Sequence, residues 1–172
     1  KDTIYFQILI IFNYLHKNGF VYRDLKPNNV IICERKRVYL IDFDRMISNS
    51  QETNTTDFAS EFVSPDVNEG KISYKNDLYS LFSLLFYIRN EASPTKQTRQ
   101  INITISDMIR SFYIDCHLNI NLDDIPIIKN DSDILLYIGQ VYFIDKYGMQ
   151  DINKSIHYLT LSANFNNPEA QF

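Results

Sequence analysis

The sequence predicts a mainly α-helical protein carrying one small β-hairpin. Apolar residues Ile4, Ile8, Ile11, Phe12 and Leu15 recur at helical spacing. The same period returns in residues 78–88, 134–143 and 152–163. Between these stretches, two short β-prone runs, residues 30–33 and 38–41, flank the charged turn "ERKR" and read as a hairpin.

In chain order, residues 3–17 are expected to form an amphipathic helix. Asp2 or Thr3 is placed to cap its start, and Gly19 lies just past its end. The polar stretch 22–29 and the hairpin follow. Residues 44–61, rich in Ser, Thr and Asn, read as a long loop. Asp77 precedes a buried helix over 78–88, and residues 90–100 with Pro94 read as a linker. A further helix is expected over 101–118, then a connector over 119–131. Residues 134–143 and 152–163 form a helical hairpin. "NNPEAQF", with Pro168 at a first helical turn, looks like the start of the next one, the pattern of an α-solenoid.

Composition narrows the function classes. The 172 residues suffice for a compact domain plus a small appendage, and 45% hydrophobic residues suffice for a core. A net charge of −4 argues against a general nucleic-acid or anionic-membrane binder. No apolar run reaches membrane-spanning length, and no signal peptide is visible. Cys33 and Cys116 are too few for a disulfide framework or zinc site. Both are expected buried and reduced, which suits a cytoplasmic protein. The chain starts at Lys1 and stops at Phe172 in mid-pattern, as a fragment would.

Chemistry concentrates in "VYRDLKPNNV", residues 21–30. Taken singly, Asp24, Asn29 and Asp42 read as ordinary loop or turn residues. Taken together, they can serve phosphoryl transfer, which needs a carboxylate to orient the attacking hydroxyl, cations for the phosphates and oxygen ligands for Mg²⁺. Asp24 would orient the hydroxyl. Lys26 can reach the same side of the loop, and Asn29 offers an amide oxygen. Asp42, at the end of the second β-prone run, would be returned beside the loop by a hairpin. Residues His16, His117 and His157 show no metal-ligand spacing and read as helix-surface or packing residues, and Cys33 reads as inert core.

"YRDLKPNNV" and "LIDFD" resemble the catalytic loop and metal-binding motif of protein kinases. The preceding "QILIIFNYLHKNGF" resembles the helix entering that loop. "EFVSPDV" resembles the close of the activation loop, and "KNDLYSLFSLLFYI" the central helix of the C-terminal lobe. These matches fall in the right order over residues 4–88. They imply Asp24 as catalytic base, Lys26 as phosphate contact, and Asn29 and Asp42 as Mg²⁺ ligands in an ATP site. Asp77 is implied to pin the loop backbone. Lys26-Pro27 is similar to the Ser/Thr-specific pattern, so the implied substrate is a protein. Arg23 would hold a phosphorylated loop residue or make a structural salt bridge. Thr53, Thr55, Thr56 and Ser60 are candidate phosphosites.

The departures are specific. Tyr22 replaces the usual His, a change that working kinases also show. Asp44 replaces the Gly of Asp-Phe-Gly, and Asp66 the Glu of Ala-Pro-Glu. Ala59 stands where an activation-loop Thr is common. No Gly-rich loop or strand Lys is present, so the N-terminal lobe is missing from the sequence. Residues 1–128 are therefore assigned to a kinase C-terminal lobe. Residues 129–172 resemble a Sel1-like repeat, through Gly139, Tyr142, Asp151, Ala163 and Ala170. Such a repeat implies a protein partner. Two rival readings remain: a pseudokinase scaffold without turnover, favoured by Asp44 and the missing lobe, and a kinase-like small-molecule phosphotransferase, favoured by "LIDFD".

Overall fold

The computed structural model describes residues 1–34, 36–49, 61–64, 67, 72–91, 104–116, 120, 125, 131–144 and 149–171. Its described part is mostly helical, with two small two-stranded antiparallel sheets. The chain divides into two compact units, Lys1–Ile109 and Arg110–Phe172.

The first unit is built on α1 (Asp2–Lys17). Six successive residues, Tyr5 to Ile10, are buried. The helix expected over residues 3–17 is present, and its middle is covered on all sides, as in a core helix. Lys1 is its N-cap, and no side chain caps it. Asp2 lies instead within the first turn, where its carboxylate meets the positive end of the helix. Past the C-terminus, Gly19 takes φ +80°, and its amide donates to the His16 carbonyl at 3.0 Å.

Strand β1 (Phe20–Val21) leaves this turn, and a 3₁₀ turn (Pro27–Asn29) leads into the hairpin of β2 (Val30–Ile32) and β3 (Val38–Leu40). Val30 pairs with Leu40, Ile31 with Tyr39 and Ile32 with Val38. Gln7 of α1, itself buried, fastens the hairpin turn. Its Nε2 donates to the Lys36 carbonyl at 2.8 Å, and its Oε1 accepts from Val38 N at 3.3 Å. Cys33 is exposed, contrary to the expectation of a core position. The hairpin buries Val38 and Leu40, while Ile31 and Ile32 face outward and Cys33 begins the turn. Cys116 is buried as expected.

Strand β4 (Ile47–Ser48) pairs with β1, Val21 against Ile47 and Phe20 against Ser48. It lies where the sequence reads as loop, because two residues carry no alternation to detect. Helix α2 (Tyr74–Asn90) starts four residues earlier than the apolar run suggested. Ser73 caps it in a reciprocal box with Asn76, which draws Asp77 into the first helical turn. The Tyr5 hydroxyl donates to the Leu81 carbonyl at 2.7 Å, joining α1 to α2. Burial pushes the Tyr5 phenol well above its ordinary value, so it remains a donor.

Helix α3 (Ile105–Cys116) carries Phe112, Tyr113 and Cys116 into the second unit. Two helices follow there, α4 (Ser132–Phe143) and α5 (Ile152–Asn164). Each has an Asp cap: Asp131 accepts from Ile134 N at 3.2 Å and Asp151 from Lys154 N at 3.0 Å. The pair packs antiparallel. Ser162 Oγ donates to the Ser132 carbonyl at 2.6 Å, and the Tyr142 and Tyr158 rings stack at 6.0 Å. Asn167 caps a short 3₁₀ turn (Pro168–Ala170) and donates to Asp133 at 3.0 Å. The connector over 119–131 falls mostly outside the described residues. Among those described, no helix is long and apolar enough to cross a membrane.

Gly139 sets how closely α4 and α5 approach. A Cβ there would lie 2.7 Å from Leu159 Cγ and 3.1 Å from the Leu159 backbone nitrogen. Gly139→Ala is therefore expected to destabilise the second unit by about 1–3 kcal/mol, as other overpacked sites do. Adding Leu159→Ala removes the side-chain clash, so the double variant should lose less than the two single losses added. Denaturant unfolding of the single and double variants checks this.

Candidate functional site

The site begins at Asp77. Its carboxylate is wholly buried and accepts from three donors. Tyr22 N lies 2.9 Å from Oδ2, Arg23 N lies 2.8 Å from Oδ1, and His16 Nε2 lies 2.9 Å from Oδ2. An ionised carboxylate only accepts, so His16 must donate through Nε2. The two amides belong to the residues just before Asp24. Arg23 takes φ +69°, a left-handed conformation disfavoured for a side chain of this size, and Asp77 fixes the amide on each side of the Tyr22–Arg23 step. The Arg23 Nε then donates to the Arg45 carbonyl at 2.6 Å. Burial, with the Arg45 guanidinium nearby, weakens the hold of Arg23 on its proton, and Asp77 acts the other way.

Asp24 follows, 2% exposed. Its Oδ2 is doubly bonded: Lys26 Nζ donates at 2.7 Å and Asn29 Nδ2 at 3.1 Å. Asn29 Nδ2 also donates to the Asp24 carbonyl at 2.9 Å, which closes the loop on itself. Arg45 Nη1 stands 3.8 Å from Oδ1, beyond direct hydrogen-bond range. One oxygen is thus committed, and the other keeps room for a further partner.

The hairpin returns the "LIDFD" segment to this loop. Ile41 N donates to the Asn29 carbonyl at 3.1 Å, and the Tyr22 hydroxyl donates to the Ile41 carbonyl. Burial pushes the Tyr22 phenol up. An Asn29 hydrogen bond pulls it down, and the charges of Asp24, Asp42 and Asp77 reinforce burial. The phenol therefore stays protonated and available as a donor. The ring packs edge-on to Phe43 at 5.5 Å. Asp42 is exposed and takes φ +63°. Asp44 keeps a negative φ, so its backbone does not use the freedom a glycine would supply.

Asp24, Lys26, Asn29, Arg23 and Asp77 thus form one hydrogen-bonded group, and the backbone next to Asp42 joins it. Ser60 and Asp66 lie outside the described residues, as do Thr53, Thr55, Thr56 and His117. Among the described residues no group of three or more His, Cys, Asp or Glu could hold a metal. The donor set nevertheless suits a hard cation that keeps other oxygen ligands: one amide oxygen and one carboxylate. Because Asn29 uses its nitrogen toward Asp24, Oδ1 is the atom left for such an ion.

Three contributors were missed in the sequence. His16 is packed, its side chain 7% exposed, in line with one of its two expected roles, and it is also bonded to Asp77. Arg45 and the Tyr22 hydroxyl carry structural bonds that no local spacing signals. His157 is exposed as expected, its ring edge-on to Tyr158.

A family model of the protein kinase domain matches residues 2–142. This match runs into α4; the sequence boundary at residues 128/129 lies between its end and the division of the compact units. The cGMP-dependent protein kinase, isozyme 1, of Drosophila melanogaster is 35% identical over 91 residues, covering 51% of this chain and 12% of that protein. The human cGMP-dependent protein kinase 2 is 38% identical over 79 residues, 44% of this chain and 10% of its own length. The serine/threonine-protein kinase PEPKR2 of Arabidopsis thaliana is 28% identical over 96 residues, 55% and 20% respectively. The chain spans about a tenth to a fifth of the length of these relatives.

Removing the Asp77 carboxylate strands two buried amides and the His16 donor. Asp77→Ala is expected to cost about 3–5 kcal/mol of stability, the range for breaking a buried charged network. Tyr22→Phe loses one neutral hydrogen bond and should cost only about 1 kcal/mol. Chemical denaturation of both variants tests the ranking; a larger loss for Tyr22→Phe would contradict the placement of Asp77 at the centre.

Proposed function

The chain belongs to the protein kinase domain family, and from that premise we propose that it is catalytic machinery of a Ser/Thr protein kinase. The proposed reaction moves the γ-phosphoryl group of ATP to a protein hydroxyl. The activity is that of the whole protein, of which the chain spans residues of a C-terminal lobe. The observation that carries this reading is Asp24 itself. It is buried, its Oδ2 is held by Lys26 and Asn29, and its Oδ1 has Arg45 Nη1 at 3.8 Å, which leaves it without a direct hydrogen bond from that group.

Each residue then has a role. Asp24 orients the acceptor hydroxyl and takes its proton through Oδ1 as the oxygen–phosphorus bond forms and ADP leaves. Lys26 neutralises charge on the transferred group. Asn29 Oδ1 and Asp42 would hold Mg²⁺, which supplies charge neutralisation at the phosphate oxygens. Catalysis is chiefly positioning and electrostatics. Arg23, held by Asp77 and by the Arg45 carbonyl, keeps Asp24 and the segment after Asp42 in register. Ser60 and Asp66, which follow Asp42 in the sequence, are assigned structural or regulatory roles.

The residues 129–172 are assigned to a Sel1-like repeat that recruits a protein partner in the cytoplasm. The antiparallel α4–α5 pair with Gly139 at its closest approach supports this assignment. Of the grounds for the scaffold reading, the one from Asp44 is weakened by the negative φ there.

The test is turnover by the full-length protein. Asp24→Asn keeps the shape of the loop but removes the proton acceptor, so kcat should fall by about 10²–10⁴-fold. Activity should require Mg²⁺ and favour protein substrates over small hydroxylated molecules. Equal turnover by wild type and Asp24→Asn would overturn the assignment. Preference for a small hydroxylated substrate would favour the phosphotransferase reading.

A further inference from the structure

We infer that Arg45 is a second catalytic cation, which contacts the phosphoryl group as it passes to the hydroxyl held at Asp24; this inference rests on the kinase reading above. The two carboxylate oxygens of Asp24 each face a cation. Lys26 Nζ donates to Oδ2 at 2.7 Å, while Arg45 Nη1 stands 3.8 Å from Oδ1. The second gap is too long for a direct hydrogen bond. It suits a place beside the reacting atoms instead. An acceptor hydroxyl held by Oδ1 at about 2.6–3.2 Å lies within reach of the same guanidinium.

The chain holds Arg45 by its backbone. The Arg45 carbonyl accepts from Arg23 Nε at 2.6 Å, and Met46 N donates to the Phe43 carbonyl at 2.9 Å, closing a turn around Arg45. Strand β4 begins at Ile47, paired with β1. Arg23 is 5% exposed and uses its Nε for that bond, so it anchors Arg45. The Arg45 side chain is 43% exposed against 2% for Asp24, so the guanidinium can follow a ligand while the carboxylate stays in place. The reaction needs charge there. The hydroxyl oxygen bonds to phosphorus, the bond from phosphorus to the ADP oxygen breaks, and the hydroxyl proton goes to Asp24 Oδ1. Negative charge is spread over the three other phosphoryl oxygens meanwhile. Lys26 is bonded to the other carboxylate oxygen. Arg45 offers a planar fork of donors on the Oδ1 side and keeps its own protons throughout.

The test compares Arg45→Ala and Arg45→Gln with the wild type in the full-length protein, using Mg-ATP and the best acceptor from a Ser/Thr peptide library. Both variants keep the carbonyl that Arg23 holds. The expected result is a kcat lowered about 10²- to 10³-fold in each, the scale for removing one preorganised donor. KM for ATP and for the peptide should change little, the pattern of an interaction made only in the transition state. Millimolar guanidinium, far below denaturing concentrations, should restore part of the kcat of Arg45→Ala and none of that of Asp24→Asn. A packing role would give no such rescue. Should Arg45→Ala fail to fold, Arg45→Gln decides by its kcat and KM alone. Wild-type kcat in a folded variant, a loss confined to KM, or absence of rescue overturns the role of Arg45. If the wild type phosphorylates no peptide, the kinase reading fails and this inference falls with it. If the wild type turns over, Asp24→Asn does not and the Arg45 variants match the wild type, only the assignment of Arg45 falls.

Discussion

A buried carboxylate is expensive unless donors satisfy it, and Asp77 is buried completely. Three donors converge on it from two different segments, and that convergence is what the rest of the first unit depends on. Helix α1 brings His16, the chain after β1 brings two amides, and α2 brings the carboxylate. The capping box at Ser73 places Asp77 in the first turn of α2, where the positive end of the helix adds to its stabilisation. An interaction that joins three segments through one buried group is cooperative. It also holds a left-handed Arg23 that a free loop would abandon.

From this anchor the geometry of the site follows in order. Fixing Tyr22 and Arg23 fixes Asp24. Asp24 then gathers Lys26 and Asn29, both within five residues, and Asn29 opens β2. The hairpin register carries the chain back so that Ile41 meets Asn29 and the Tyr22 hydroxyl. Asp42 is next in line, left-handed itself. Arg23 and Asp42 thus place left-handed backbone on both segments that the hairpin brings together.

The local part of this arrangement was legible in the sequence. Asp24, Lys26 and Asn29 lie within six residues, and a short charged turn between β-prone runs predicts the return of Asp42. Helix positions were legible wherever apolar residues repeat over several turns. What could not be read depends on partners distant in the chain or on very short elements. Nothing near His16 indicates a partner at Asp77. The two-residue strands β1 and β4 carry no period. The exposure of Cys33 follows from which face of the hairpin meets α1, a choice made by Gln7 and by Val38 and Leu40. Asp77 fell inside its helix because Ser73 and Asn76, both polar, begin that helix before its apolar run does.

Under the proposed function, Asp42 would serve the nucleotide and its metal, and Asp24 the acceptor hydroxyl. Calorimetric titration of ATP into the full-length protein, with and without Mg²⁺, tests that division most directly. The account predicts that Asp24→Asn binds Mg-ATP as the wild type does, whereas Asp42→Asn loses the Mg²⁺-dependent part of binding. Mg²⁺-independent binding by the wild type, or equal losses in both variants, would contradict it.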